Sequence, residues 1–330
     1  MKMLWKELTL AILMGIVMPG VLLGVATSRE PPRLETSIST DTILETLAEA
    51  QTEPTTPTVV VPILTDRGVV EMDLDEYLTG VVLGEMPVSF ELEALKAQGV
   101  VARTYTMRAW YRGGRHDGAA VCTDSTCCQS YRSPENHLAA GGTWTDVERI
   151  RGAVRATTGQ VLTYEGQLIE ATYFSCSGGT TEDAVAVWGT DYPYLRSVDS
   201  PGEEGATHYT DTVTFTPAQF EKAMGVDLTG SPSRWFGLTT YTTGGGVSTM
   251  EIGGTAYKGT TLRSKLGLRS TVFTVSATDS TITIKTKGFG HRVGMSQYGA
   301  DAMAVQGSGY ETILAHYYRG TRIDKISSLG

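Results

Sequence analysis

The sequence predicts an α+β protein in which a single N-terminal transmembrane helix precedes one mixed α+β domain with several antiparallel strands. Three observations support this fold class. An uncharged stretch near the N-terminus is long enough to cross a membrane as a helix. Two helical segments with regularly spaced apolar residues follow a predicted hairpin. Most of the remaining chain consists of β-type runs separated by glycine-rich turns, which indicates non-local strand pairing.

Residues 1–28 are expected to anchor the chain in a membrane. Lys2 and Lys6 precede an uncharged run, Leu8–Ser28, that as a helix spans roughly 30 Å. The alternative is a cleaved signal peptide, for which this run is long and its small-residue cleavage site weak. The lysines before the run, and the lack of a second apolar run in the sequence, predict a single-pass protein of the cell membrane whose remaining residues are extracytoplasmic.

Residues 29–58 are rich in Thr, Glu, Pro and Ser, which predicts a flexible linker. The folded domain is expected over 59–330. It begins with two β-branched runs on either side of a turn at residues 66–68, the pattern of a β-hairpin.

The charge balance limits the partners that the domain can bind. The chain has 27 Lys and Arg against 36 Asp and Glu, a net charge of −9, and no basic run, which excludes nucleic acid as a partner. An acidic protein can still bind an anionic glycan if basic residues reverse the field inside its cleft.

Glu85 is the main candidate for catalysis. A helix is predicted from Asp73, with Glu76 completing a capping box and Pro87 ending it. Glu85 falls on the apolar side of this helix, in its last turn. Burial and the negative end of the helix dipole both raise the pKa expected for a carboxyl there, which suits a general acid. The alternative is a helix-end glutamate paired with a basic residue.

A second helix is predicted from about Phe90 to Arg112. Lys96 and Arg103 are seven residues apart and therefore lie along one side of it. They are candidates to hold a substrate carboxylate or to stabilise ionised Glu85. The alternative is that both are solvated surface charges.

Four segments, in the same order, resemble the stage II sporulation protein D family: LTGVVLGEMPVSFELEALKAQGVVARTYTMRAW, YFSCSGGTTEDAVAVWGTDYPYLRSVDSP, TLRSKLGLRSTVF and GFGHRVGMSQYGADAMAVQGSGYETILAHYY. The resemblance runs from about Val59 to the C-terminus. It implies a lytic transglycosylase that cleaves peptidoglycan between N-acetylmuramic acid and N-acetylglucosamine during engulfment in sporulating bacteria, leaving 1,6-anhydro ends. Glu85 matches the family's catalytic glutamate, and Lys96 and Arg103 match basic residues of the same motif.

The resemblance also implies partners and leaves two other classes of function open. Expected partners are peptidoglycan glycan strands, a sporulation amidase and a membrane protein of the engulfment machinery. The first alternative is a non-catalytic wall-binding protein that activates an amidase, since relatives include amidase enhancers. The second is a zinc-dependent hydrolase, in which the metal activates water.

A cluster of metal-ligand residues follows the second helix. His116, Cys122 and Cys128 are spaced at two equal intervals of six residues, which suits tetrahedral zinc. The fourth position is left to water, to Cys127 or to a distant residue such as Cys176. The alternative is a disulfide, common outside the cytoplasm. Some members of the family bind zinc at this place, so the resemblance implies a structural zinc that orders the loop.

The later motifs contain candidates for substrate binding. A predicted strand ending at two glycines places two hydroxyl side chains on one face, and a glycine-framed loop leads into a helix. The candidates are Tyr173, Ser175, Tyr194, His291, Gln297 and Tyr298. The alternatives are a buried strand end for the first pair and a packed core histidine for His291. Arg292 stands where the family usually has glycine, and we expect it to alter a subsite or to point to solvent.

Overall fold

The computed structural model describes residues 59–328, which belong to one compact unit, Pro57–Gly330. The predicted membrane anchor, 1–28, and linker, 29–58, lie outside the described residues. No helix within 59–328 has the length and apolar character needed to span a bilayer. In this part of the chain the prediction of a mixed α+β protein with several antiparallel sheets is confirmed.

The predicted hairpin and the helix after it are confirmed. Strands β1 (Val60–Thr65) and β2 (Gly68–Asp73) pair antiparallel, and helix α1 (Leu74–Glu85) follows directly. The Asp73 side chain caps α1 by accepting from the backbone N–H of Glu76 at 2.9 Å. The predicted capping box is only half formed, because the Glu76 carboxylate pairs with an arginine instead.

Helix α2 (Leu92–Tyr111) packs against α1, and a short α3 (Pro134–Ala139) precedes α4 (Trp144–Arg155). Helix α4 was not predicted from the sequence. Thr143 and Asp146 form a complete capping box that begins α4, and apolar residues at helical spacing bury one of its faces against α1 and α2. The three long helices pack together in the main core, to which strand residues such as Ile63 and Leu162 also contribute.

The other strands and helices of the described residues are shorter. In chain order they are β3 (Val121–Cys122), β4 (Gln160–Tyr164), β5 (Gln167–Leu168), β6 (Tyr173–Phe174), α5 (Ala184–Trp188), β7 (Thr210–Phe215), α6 (Pro217–Met224), β8 (Phe236–Tyr241), β9 (Val247–Ile252), β10 (Thr255–Lys258), α7 (Gly259–Lys265), β11 (Val272–Ala277), β12 (Ile282–Lys287), β13 (Met295–Ser296), α8 (Gln297–Val305), α9 (Tyr310–Tyr317) and β14 (Arg322–Lys325). The helix predicted after the glycine-framed loop is α8, and α9 follows it.

Residues 210–287 form what we call the inserted lobe, which has an apolar core separate from the main one. It contains two three-stranded antiparallel sheets, ordered β10-β9-β8 and β11-β12-β7. The chain returns to the main core at Val293. There β13 pairs in parallel with β6, aligning Met295 with Tyr173. The segment that leaves the inserted lobe therefore returns to the main core next to Tyr173, a predicted binding residue.

Candidate active site

Glu85 lines a cavity of about 680 Å³ at the C-terminal end of α1. The cavity is bounded by β6, by the segment that leads from the inserted lobe to α8, and by the loop that carries the cysteines. Its lining residues are Glu85, Tyr105, Arg115, Ser125, Cys128, Gln129, Glu170, Ala171, Thr172, Tyr173, Phe174, Ser175, Trp188, Thr190, Tyr192, Phe289, Gly290, His291 and Gln297. A space of this size accommodates a small oligosaccharide.

The Glu85 carboxyl is held by three donors. The Ser130 backbone N–H donates to Oε1 at 2.6 Å, the Tyr173 hydroxyl to the same oxygen at 3.2 Å, and Gln297 Nε2 to Oε2 at 3.3 Å. Burial raises the pKa of Glu85 above its ordinary value, and the three hydrogen bonds oppose part of that rise. Within residues 59–328 it forms no ion pair. Glu85 is therefore fixed in position and inclined to keep its proton.

A second carboxylate, Glu170, lines the same cavity but has a cationic partner. Arg108 forms an ion pair with it, and both side chains are largely buried. The two acids of the cavity therefore differ in their partners: Glu170 is held by a cation, whereas Glu85 has no cationic partner in residues 59–328 and a raised pKa, which suits it to donate a proton.

One side of the cavity is aromatic and includes Phe174, Trp188, Tyr192, Phe289 and His291. The His291 ring lies 5.6 Å from the Phe174 ring and 5.3 Å from that of Trp188, measured between centroids. Burial, together with the smaller effect of the positive charge of Arg263, lowers the pKa of His291 to about 4. His291 is thus neutral near pH 7 and belongs to an aromatic surface of the kind on which sugar rings stack.

The predicted binding residues fall into two groups. Tyr173, Ser175, His291 and Gln297 all line the cavity. Tyr194 and Tyr298 are outside its lining. The Tyr194 hydroxyl accepts from the backbone N–H of Glu170 at 3.0 Å, and Tyr298 packs edge-on against Phe90.

The structure corrects the expectation that Arg103 faces the cleft. Arg103 is fully buried, and Nη2 lies 2.9 Å from Oδ1 of Asp75 and 3.2 Å from the carbonyl of Val154. It joins α1 to α4 rather than presenting its guanidinium at a rim. Lys96 is not in the cavity lining either, because its ammonium pairs with Glu93 at 2.6 Å on another side of α2.

Arg292 also departs from both expectations, since it neither reaches a subsite nor points to solvent. It is 1% exposed, has a φ of 68°, and lies 3.6 Å from the equally buried carboxylate of Glu182. Its Nε donates to the carbonyl of Ser177, and Nη2 donates to those of Thr180 and Gly244. Gly244 is in the inserted lobe, so Arg292 ties the lobe to the main core.

A buried carboxylate that the sequence did not reveal orders the strands beside the cavity. Glu203 accepts from the Ser177 backbone at 2.6 Å, from the Ser200 hydroxyl at 2.6 Å and from the Ser296 hydroxyl at 2.6 Å. Ser296 in turn caps α8. This network holds the start of α8, and hence Gln297, next to Glu85.

The cysteine-bearing loop forms a compact group of donors. The ligand atoms of His116, Cys122, Cys127 and Cys128 all lie within 4.8 Å of one another. His116 Nε2 is 3.4 Å from Cys128 Sγ and 3.6 Å from Cys127 Sγ, and the last two sulfurs are 3.8 Å apart. Tetrahedral zinc, with bonds of about 2.0 Å to nitrogen and 2.3 Å to sulfur, separates its donors by about 3.3 to 3.8 Å.

The four donors are therefore close enough together to hold a metal ion, and Cys127 belongs to the group. Sulfurs 3.8 Å apart are not bonded, because a disulfide requires about 2.05 Å, and the four cysteines are free thiols. Cys176, the other candidate for the fourth position, is outside the cluster. The sequence had left the role of Cys127 open.

Several cavity residues were not predicted from the sequence. Trp188 lies in the same family-like segment as Tyr173 and Ser175, and a tryptophan there is the signal that could have identified it as a sugar-stacking candidate. Arg115 precedes a predicted metal ligand. The contribution of Ser130 is a backbone N–H, which every residue but proline possesses, so no sequence signal marks it.

The fold and the site define the class of this protein: an α+β domain with an inserted lobe, whose cavity combines a buried acid without a cationic partner, an aromatic wall and a thiol-rich loop. The family model of stage II sporulation protein, SpoIID, matches residues 66–164. The stage II sporulation protein D of Bacillus amyloliquefaciens is 40% identical over 311 residues, covering 92% of this chain and 89% of that protein. The protein of the same name from Bacillus subtilis (strain 168) is 41% identical over 267 residues, covering 80% of this chain and 78% of the other.

The chain belongs to the stage II sporulation protein D family. It also resembles the amidase enhancer of Bacillus subtilis (strain 168), with 32% identity over 304 residues that cover 74% of this chain and 40% of the enhancer.

Proposed function

We propose that this protein is a lytic transglycosylase that cleaves peptidoglycan glycan strands between N-acetylmuramic acid and N-acetylglucosamine, leaving 1,6-anhydro ends, during engulfment in sporulation. The observation that carries the proposal is Glu85, a buried carboxyl with a raised pKa, three hydrogen-bond donors and no cationic partner in residues 59–328. Membership of the sporulation family supplies the biological setting.

One carboxyl is enough for this reaction. Protonated Glu85 gives its proton to the glycosidic oxygen, and the bond between that oxygen and C1 of muramic acid breaks. Glu85, now a carboxylate, takes the proton from the 6-hydroxyl of the same sugar, whose oxygen bonds to C1. Hydrolysis would need a second carboxylate to activate water, whereas Glu170 is committed to Arg108.

The surroundings of Glu85 suit both stages of this cycle. The Ser130 N–H and the Tyr173 hydroxyl stabilise the carboxylate that forms after the first proton transfer. Burial prevents that carboxylate from becoming too weak a base. The aromatic side of the cavity provides a platform for the apolar faces of sugar rings.

We assign the donor cluster to a structural zinc held by His116, Cys122, Cys127 and Cys128. When bound, the metal would supply folding energy to the loop rather than an activated water, because four protein ligands leave no open position. The consequence for the acid is direct. Ser130, which donates to Glu85, is only two residues beyond Cys128, and Gln129 between them places its Oε1 3.3 Å from the Tyr173 hydroxyl oxygen.

The second candidate is a wall-binding protein that activates an amidase, favoured by the similarity to the amidase enhancer. Such a protein needs a glycan groove but no acid. The three hydrogen bonds that hold the Glu85 carboxyl favour the lytic transglycosylase over the activator. For location and partners we propose a single-pass anchor at 1–28, an extracytoplasmic domain, and contacts with an amidase and a membrane protein of the engulfment machinery.

Mass spectrometry of the products from purified glycan strands separates the candidates. We expect the wild-type protein to release 1,6-anhydro ends, Glu85→Gln to release none, and the matched variant Glu170→Gln to retain the anhydro product. Intact strands with the wild-type protein would favour the activator. Reducing ends would favour a hydrolase.

A further inference from the structure

Arg115 is the one lysine or arginine among the described residues that line the cavity. Its side chain is exposed, and it makes no ion pair with an acid in residues 59–328. The neighbouring acid, Glu170, is already paired with Arg108. The cavity therefore presents one uncommitted cation to whatever enters it.

The position of Arg115 is fixed by its surroundings. The guanidinium carbon lies 5.6 Å from the centroid of the Tyr105 ring, a second lining residue, within the range of a cation–π contact. The Arg115 backbone N–H donates to the carbonyl of Ala120 at 2.9 Å, which closes a tight turn. Gly114, with a φ of 86°, permits this turn, because a Cβ there would lie 2.4 Å from the carbonyl oxygen of Ala119.

The residue after Arg115 belongs to the donor cluster. His116 Nε2 approaches the thiols of Cys127 and Cys128 within 3.6 Å. The turn and the cluster thus hold the Arg115 backbone at the cavity wall. Because the backbone is held, less entropy is lost when the guanidinium engages a ligand than would be lost from a mobile loop.

We propose that Arg115 recognises the carboxylate of muramic acid and so distinguishes a charged glycan from a neutral one. This inference rests on the proposed function. The chain has a net charge of −9 and repels an anionic polymer overall, so binding one requires a local cation in the cleft. A guanidinium matches a carboxylate with two parallel hydrogen bonds. Arg115 takes the role that the sequence suggested for Lys96 and Arg103, neither of which lines the cavity.

The test compares two ligands that differ only in charge. One is an oligosaccharide of alternating N-acetylglucosamine and N-acetylmuramic acid, and the other is the same compound with each carboxyl converted to a methylamide. Calorimetry with Glu85→Gln protein measures binding without turnover. We expect this protein to bind the free acid about three- to ten-fold more tightly, as a partly exposed charged contact allows.

Adding Arg115→Gln to that protein should remove the preference while leaving the affinity for the methylamide unchanged. Arg115→Lys should keep part of the preference, because the charge remains and the two-point geometry is lost. The matched control is Arg112→Gln, an exposed arginine three residues earlier that does not line the cavity, for which the preference should stay intact. Equal melting temperatures and metal contents would show that the variants are folded.

A preference that survives Arg115→Gln, or no preference in the Glu85→Gln parent, would overturn the inference. Failure of the proposed function looks different. In that case wild-type protein releases no anhydro ends, whatever Arg115 does to binding. If anhydro ends form and depend on Glu85 while charge preference ignores Arg115, only the present inference fails.

Discussion

The buried pair between Arg103 and Asp75 should be a large contributor to stability. Arg103→Met substitutes an unbranched, flexible apolar side chain, which limits the void left behind, and removes the charge. The Arg103 guanidinium is fully buried, whereas the Asp75 side chain is 20% exposed. After the substitution, the carboxylate loses its cation and the carbonyl of Val154 loses a donor.

The expected loss follows from these contacts. Removing one partner of a buried pair costs about 3 to 5 kcal/mol, and we expect about 3 kcal/mol because Asp75 keeps some exposure. It also keeps a hydrogen bond from the Thr158 hydroxyl. At about 2 °C per kcal/mol for a domain of this size, the Tm should fall by about 6 °C. Asp75→Asn in the Arg103→Met protein should recover part of the loss, since no unpaired charge then remains.

Thermal and denaturant unfolding of purified protein measures this effect. Arg112→Met, at an exposed position directly after the C-terminus of the same helix, serves as the control and should change stability by less than about 0.5 kcal/mol. Below its Tm, folded Arg103→Met protein should turn over glycan normally. Unchanged stability together with slower cleavage would refute the structural role and place Arg103 in the cleft.

Three further predictions concern the pH profile, the metal and the lobe contact. Tyr173→Phe removes a hydrogen bond that lowers the pKa of Glu85, so the pKa of Glu85 should rise. Because cleavage needs protonated Glu85 and is lost as pH rises through its pKa, the alkaline limb of kcat/KM should move to higher pH. A move to lower pH would contradict this. Elemental analysis should find about one zinc per chain in the wild-type protein and in Cys176→Ser, but less in Cys127→Ser. A full zinc content in Cys127→Ser would show that Cys127 is not a ligand. Arg292→Gly removes the strain of a positive φ but leaves the buried carboxylate of Glu182 without its cation. The free energy of unfolding should therefore fall by about 3 kcal/mol, and a rise would refute the stabilising role of the ion pair.

The elements that local patterns define were predicted correctly. The hairpin, α1 and α2 each combine apolar periodicity with a recognisable end, such as the Asp73 cap or the break at Pro87. The apolar spacing around Glu85 likewise indicated its burial, because residues three and four apart share a helix face. Such signals need only a few neighbouring residues.

Features that depend on distant partners were not predictable. Arg103 lies at the edge of an apolar helix face, a position from which its side chain can reach either the rim of the cleft or the protein interior. It lies in the interior because it pairs there with Asp75 on another helix. The separate core of the inserted lobe depends on pairings such as Ile284 with Val213, about 70 residues apart in the chain. Cys127 becomes a candidate ligand only because the loop turns back on itself.

Cleavage in water enriched in oxygen-18 tests the central proposal most directly, that Glu85 moves protons for an attack by the sugar's own 6-hydroxyl. Mass spectrometry of the new ends should show anhydro products without the heavy isotope, and no products with Glu85→Gln. New ends two mass units heavier than those formed in ordinary water would mean that water is the nucleophile. That result would contradict the transglycosylase mechanism.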